Sequence, residues 1–345
     1  MIEIVIKPYT YLFLFFIALR VEYLKNYLIV FLVHLVNQFG IPIMSYMNLS
    51  KLFLFCLISF SCSESEKSEL SYDDFLDDNI SSEKQYSDIN FSNWKLTLPV
   101  DEDNNGSPDE YYPNQLINNA YRSLNPIKPY MYDDTSDGSL LFYTFPNTST
   151  TNSSYSRTEL RELINPENSR DNWTLKEGGK MTGRLKIVSI SQDDDSGNYH
   201  KVIVMQIHGI ISQEDINNYG FNSNNGPPLI KIYWKDGYIW CHKKSLKDTS
   251  ISGEDLIQPY TSSNNFWTDD KKNLGFVGYD TFDFSITASA AKIEVQLNNN
   301  NPVVYNDISL NKWQYENYFK AGNYLGTTDS DGFSYVKYYN LNVTH

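Results

Sequence analysis

Three short segments of this chain collect residue types that can handle a proton beside an anion: YSRTELREL at 155–163, MQIH at 205–208 and YFKAGNYLG at 318–326. Read as a strand, the first puts Arg157, Glu159 and Arg161 on one face, two residues apart. Two guanidiniums flanking a carboxylate make a rigid fork for anionic groups, and the glutamate can hold their geometry. A solvated, self-paired strand face would give the same pattern. In the second segment Gln206 and His208 share a face, as do Val202 and Val204 in the run KVIVMQIH, while Ile203, Met205 and Ile207 take the other. An amide beside an imidazole can hydrogen-bond a carboxylate and move a proton. A lone histidine is as readily structural, and His200 and His242 are read that way. The third segment places Tyr318, Lys320, Gly322 and Tyr324 on one face, with Phe319, Ala321 and Asn323 opposite. A tyrosine near a lysine and arginines can have its pKa lowered, because the positive charges favour the phenolate. Gly322 would leave space above the strand for a ligand. In a chain with 27 Tyr, a plain aromatic sheet face is the competing reading.

The elements that must carry these residues read as strands. From Phe91 onward the apolar period is two far more often than 3.6. KLTLPV at 95–100, TFDFSIT at 281–287 and FSYVKYYNLNVT at 333–344 alternate, and KIEVQLNNNNPVVYND at 292–307 reads as a hairpin with an Asn-rich turn. Helical signals are confined to short stretches near 114–122 and 308–314. The expectation is an all-β fold, an antiparallel sandwich or jelly roll, in one domain over residues 89–345.

Composition narrows the function. Apolar residues make up 41% of the 345, enough for a sizeable core, and the 15% aromatic share suits strands and sugar-stacking walls. With 28 basic against 42 acidic residues the formal charge is −14, which excludes a duplex nucleic-acid partner. The three cysteines, Cys56, Cys62 and Cys241, rule out a disulfide-stapled scaffold and a multi-Cys zinc site.

The first sixty residues do not read as fold. Residues 11–19 and 27–36 are apolar but short of the roughly 20 residues a membrane span needs. From Met47 the chain resembles a bacterial lipoprotein signal: Lys51, the apolar run 52–61, and small Ser61 before Cys62, with Ser59 standing where leucine is usual. The expected organisation is an upstream segment at 1–46 from an over-called start and a signal peptide at 47–62 with Cys62 lipidated. An acidic, Ser-rich tether follows at 63–88. The setting would be the bacterial envelope, as an outer-membrane lipoprotein, or the exterior. A lipid anchor would be the sole membrane contact.

Taken in order, RTELR, QIH and YFKAGNY resemble the three motifs of polysaccharide lyase family 7, the alginate lyases, and NFSNWKLTLPVD at 90–101 is similar to the usual start of that catalytic domain. The resemblance implies a jelly roll whose concave sheet forms a groove for alginate or oligo-alginate. Arg157, Gln206 and His208 are then implied to neutralise the uronate carboxylate at the cleaved sugar. Tyr324 is implied to take the C5 proton and protonate the leaving 4-oxygen, although the faces alone do not separate it from Tyr318. Arg161, Lys320, Tyr318 and Glu159 would bind substrate. β-Elimination of this kind leaves a 4,5-unsaturated uronate and needs neither metal nor other cofactor, and a monomer is expected. An acidic protein binding a polyanion requires a locally basic groove.

The chain departs from the family pattern in places. Gly326 stands where the third motif usually has Gln, which removes one substrate hydrogen bond. The polar stretch 209–226 and the stretch 245–275 look long, and could wall off one groove end to favour release from a chain terminus. Ile207 resembles members that prefer guluronate-containing stretches. Asp101, Asp103, Asn105, Gly106 and Asp109 imitate an EF-hand start, but Tyr112 occupies the place of the bidentate glutamate and a polar turn is the better reading. Rival functions are a non-catalytic polyuronate-binding module, a glycoside hydrolase, which needs a second carboxylate beside Glu159, and a lyase for another polyuronate such as glucuronan.

Overall fold

The computed structural model describes residues 84–150, 153–257 and 266–345. The upstream segment 1–46, the signal 47–62 with Cys62, and the tether as far as residue 83 lie outside them.

The described residues build an antiparallel β-sandwich of the jelly-roll kind. One sheet runs, in spatial order, β11 (Trp267–Phe276), β10 (Tyr238–Leu246), β9 (Ile230–Lys235), β8 (Val202–Ile210), β15 (Glu316–Leu325), β5 (Arg157–Glu162), β1 (Trp94–Thr97) and β2 (Glu110–Tyr111), with β6 (Trp173–Thr174) paired to one end of β15. The other runs β14 (Val303–Tyr305), β13 (Lys292–Leu297), β12 (Phe282–Ser289), β7 (Gly179–Ile190), β16 (Ser334–Thr344), β4 (Ser139–Thr144) and β3 (Met131–Asp134).

The two sheets bury their strands differently. In β12 every second residue is buried and the rest face water, as a sheet wet on one side requires. In β5 all six residues are buried, and β8 and β15 are nearly so. Thr158, Leu160 and Glu162 of β5 point inward. Arg157, Glu159 and Arg161 point out, so the outer face of this sheet is covered by its own polar and aromatic side chains.

A pair of bulges corrects the simple alternation expected for KVIVMQIH. Ile203 pairs with Tyr324 and Met205 with Ala321, so two residues of β15 oppose Val204 alone. Against β9, Val204 is in turn the extra residue, because Ile203 pairs with Tyr233 and Met205 with Ile232. Val202 and Val204 therefore enter the core together with Met205 and Ile207, and Ile203 turns outward against Tyr233 and Tyr324. The bulge is plugged from the opposite sheet. The Tyr338 hydroxyl accepts the Gly322 N–H at 3.0 Å and donates to the Val204 carbonyl. Next to it, the Asn323 amide donates to the carbonyls of Phe142 (3.0 Å) and Ser334 (2.8 Å) and accepts from the Ser334 hydroxyl (2.6 Å). Glu162 closes the other end of the same strand pair, accepting from the Phe319 backbone and the Trp173 indole at 2.9 Å each.

Gly322 does not open space for a ligand, as its position suggested. It sits at φ +142°, and a Cβ there would fall 2.6 Å from the Thr158 carbonyl oxygen and 2.8 Å from the Glu159 Cα. Glycine is needed for the close approach of β15 to β5 at the bulge.

Short helices occur where expected, α1 (Pro113–Leu116) followed by a 3-10 turn at Ala120–Ser123, and α4 (Ile308–Lys312). Two more were not read from the sequence. The stretch 209–226 contains α2 (Gln213–Tyr219), capped by Ser212, whose hydroxyl accepts the Asp215 N–H, and closed by Gly220 at φ +70°. The stretch 245–275 contains α3 (Glu254–Ile257) and, mostly, strand β11, so part of the expected loop is an edge strand of the sheet. Residues 258–265 of it lie outside those described. The EF-hand imitation is a turn between strands: Asp101 accepts the backbone N–H groups of Asn105 and Gly106 at 2.9 Å each.

Candidate active site

Strand pairing arranges the outward side chains in rows that cross the sheet. One row reads Lys95, Arg161, Lys320, Gln206, Lys231, His242 and Lys271, from β1 to β11. A second reads Arg157, Tyr324, Ile203, Tyr233, Trp240 and Asn273. The rows are four residues apart on β5 and two apart on β9, because the bulges remove one residue at each step. A basic row and an aromatic row thus draw together from β15 toward β9. All three predicted segments contribute, and Arg157, Glu159, Arg161, Gln206, His208, Tyr318, Lys320 and Tyr324 come together on this face.

Glu159 is the hub, and only 1% of it is exposed. It pairs with the Lys320 ammonium, meets Arg157 Nη1 at 3.4 Å and accepts from Gln206 Nε2 at 2.6 Å. Burial pushes its carboxyl up, but the charges of Lys320 and Arg157 and the bonds from Lys320 and Gln206 outweigh this and hold it below the usual range. A sealed carboxylate with these partners orients its neighbours. The substrate contact expected of Glu159 does not fit that place. Burial lowers the Lys320 ammonium to about 8, with Glu159 opposing and Arg157 assisting.

Each arginine lies on a tyrosine. Arg157 Cζ is 4.0 Å from the centre of the Tyr324 ring and Arg161 Cζ is 4.2 Å from that of Tyr318. Arg161 is further fixed by the Ser169 carbonyl (2.8 Å) and Asn172 (2.9 Å). The Tyr324 hydroxyl meets Ser153 Oγ at 2.8 Å. The lowered pKa expected for a tyrosine of this segment is reversed at Tyr318. Burial raises it, and although Arg161 pulls down, Glu159 adds to the rise. Tyr318 is also stacked on His208, ring centres 5.4 Å apart at 14°.

His208 is held well below the usual imidazole range. Burial lowers it to about 3, and Lys320, Lys231 and Arg157 add to the fall against a bond to the Gly209 carbonyl. That bond, from Nδ1 at 2.9 Å, places the ring proton on Nδ1, since a carbonyl can only accept. Nε2 is left with a lone pair. Among the residues expected to meet a carboxylate, His208 differs from Arg157 and Gln206 in that its Nε2 is an acceptor in this tautomer.

Sequence reasoning passed over Lys231, which burial lowers to about 8 with help from Lys244, Arg157, Lys201 and Lys320. Its ammonium lies 6.0 Å from the Tyr324 ring centre. The alternation of IKIYW beside Gln206 was the available signal. His242, read as structural, meets the Tyr233 hydroxyl at 2.5 Å and so borders the aromatic row. Of the five buried side-chain polar atoms without a partner among the described residues, three belong here: Arg157 Nε, Arg161 Nη1 and Gln206 Oε1. Each such atom costs about 1–3 kcal/mol, and their concentration at one place marks a site kept for something other than stability.

A family model described as alginate lyase matches residues 89–345. A curated alginate lyase of Klebsiella pneumoniae is 26% identical over 295 residues, covering 74% of this chain and 89% of that protein. Among solved structures, alginate lyase A1-II′ of polysaccharide lyase family 7 is similar at 26% identity and a TM-score of 0.55, over 74% of this chain and 96% of that one. A substituted form of A1-II′ in complex with the substrate GGMG is similar at 25% identity and a TM-score of 0.54, over 74% of this chain and 93% of that one. With the motifs, the sandwich and the matched residues in agreement, the chain belongs to the alginate lyases of polysaccharide lyase family 7 and is a polysaccharide lyase.

Proposed function

We propose that this lyase cleaves the 4-O-glycosidic bond of alginate or oligo-alginate by β-elimination. The observation that carries the reading is the single face on which Arg157 and Lys320 supply charge, Gln206 an amide, and Tyr324 and the His208 Nε2 lone pair two proton-handling atoms. The proton at C5 is hard to remove because its carbon adjoins a carboxylate, and the developing enolate needs positive charge and donors on that carboxylate. Arg157, Gln206 and Lys320 provide them, with Glu159 holding all three in register. Tyr324 takes the C5 proton and returns one to the 4-oxygen as it leaves. His208 accepts a hydrogen bond from the sugar or shares the base role through Nε2. A 4,5-unsaturated uronate forms and no water is consumed.

Tyr324 is preferred to Tyr318 for this work because Tyr318 is stacked beneath His208 and its phenol is pushed up by burial. Complexes of A1-II′ with GGMG and with the product GGG support an oligosaccharide ligand of this kind. Guluronate-containing chains are the preferred substrate in this reading, given Ile207. Terminal cleavage follows if α2 and the residues after β10 close one end. The enzyme acts as a monomer at the bacterial envelope or outside the cell, held by lipid at Cys62.

Absorbance near 235 nm during incubation with alginate tests the chemistry. The wild type should raise it, and Tyr324→Phe should lose about 10³-fold in kcat. An equal rise in both would move the acid/base role elsewhere. Mid-sized oligomers preceding mono- and disaccharides would sink terminal cleavage.

A further inference from the structure

Gly326 lies two residues beyond Tyr324, and the space that a side chain would need is occupied. A Cβ on Gly326 would fall 2.5 Å from Lys201 Cγ and 2.7 Å from Lys201 Cε, and the Gly326 N–H donates to the Lys201 carbonyl at 2.8 Å. Gly326 has no positive φ to explain the residue type, so what the glycine provides is room for the lysine stem. The Lys201 ammonium ends 5.9 Å from the Tyr155 ring centre, and Tyr155 in turn lies 6.2 Å from the Tyr324 ring. A cavity of about 280 Å³ opens here, and Tyr155, Asp193, Lys201, Lys235, Gly326 and Thr327 are among its lining residues.

Its lysines are not tied to carboxylates among the described residues. Among the described residues no ion pair holds Lys201, Lys231, Lys235 or Lys271, whereas the nearby Lys244 is paired with Asp269 at 2.6 Å. Burial lowers the Lys201 ammonium, and Lys235 and Lys271 lower it further against a smaller pull from Asp269. Lysines gathered on one side of Tyr324 repel one another, and an anion bound among them would relieve that repulsion.

We propose that Lys201, laid across Gly326 and backed by Lys235, forms an anion subsite for the carboxylate of a uronate next to the one being cleaved. This rests on the lyase reading and goes beyond it, naming the cation that meets the neighbouring sugar. The carboxylate would enter beside Tyr155, so its sugar ring meets an aromatic wall as its charge meets the ammonium.

The test compares wild type, Lys201→Ala, Lys201→Arg and Gly326→Gln by the 235 nm assay on guluronate oligomers from dimer to pentamer, alongside calorimetry with the tetramer. Lys201→Ala should raise KM for the longer oligomers by about 10-fold, with kcat changing far less and the advantage of long over short chains shrinking. Lys201→Arg should recover most of the affinity. Gly326→Gln should also weaken binding by displacing the stem, and adding it to Lys201→Ala should recover part of the loss. Unchanged KM and chain-length dependence in Lys201→Ala, with an active wild type, would overturn the subsite. An inactive wild type that still binds tetramer would defeat the lyase reading alone, and loss of that binding heat in Lys201→Ala would still support the subsite. No binding by the wild type would overturn it.

Discussion

The middle of the outer face and its β9 to β11 end are both basic, yet their cations are held in different ways. In the middle, Arg157 and Lys320 are tied to a buried carboxylate and an amide, and Arg161 is fixed by Ser169 and Asn172. Toward the other end, Lys201, Lys231, Lys235 and Lys271 have no carboxylate of their own among the described residues. The middle is organised before substrate arrives, as a reacting carboxylate requires. The far end is left for the substrate to complete, which suits binding along a polyanion more than positioning one atom.

Glu159→Gln should break the contrast most severely, because it leaves Arg157 and Lys320 buried without their counter-charge. Losing one partner of a buried pair costs about 3–5 kcal/mol, to be read by urea unfolding, and kcat should collapse with it. A smaller loss of stability than an exposed pair would give refutes the hub. The pH profile is the next discriminator. Lys320 and Lys231 both stand at about 8, so kcat/KM should fall as pH rises through that value. For stability the sign is opposite. Between about 8 and the ordinary lysine value the unfolded chain holds more protons than the folded one, so these two groups make the fold more stable as pH rises. His208, at about 3, should contribute no limb at the usual histidine pH, and a limb assigned to it by substitution would contradict the neutral Nδ1–H form.

Lys231→Ala sharpens the comparison at the boundary between the two regions. It should raise KM by about 10-fold while leaving the unfolding midpoint unchanged or higher, since a half-buried ammonium with no ion pair among the described residues is removed. Arg184→Ala marks the floor. Its pair with Asp283 is half exposed on the other sheet, and the change should stay within about 0.5 kcal/mol with no effect on turnover.

Much of the middle was legible in the sequence because period-two alternation is a property of the strand alone. Arg157, Glu159 and Arg161 had to share a face once β5 was read as extended. The failures lie where a neighbour decides. Whether Val204 faces in or out depends on bulges set between β8, β9 and β15, and nothing within KVIVMQIH announces them. Gly322 looked like open space until β5 was placed against it. Whether a tyrosine near arginines is lowered or raised depends on burial, which the motif does not carry. Helix α2 is a different case. Ser212, Asp215 and Gly220 are ordinary capping signals, but no apolar stripe accompanied them and the stretch passed for loop.

The plug of the bulge by Tyr338 and the ties of Asn323 give the sandwich a kind of indexing. Tyr324 owes its height on the outer face to hydroxyl and amide contacts made with strands of the opposite sheet. A small slip of one layer against the other would therefore misplace Tyr324, the proposed acid/base group, well before either layer came apart. On warming, turnover should fade below the temperature at which the far-ultraviolet signal of the strands is lost, and the gap between the two should widen in Tyr338→Phe.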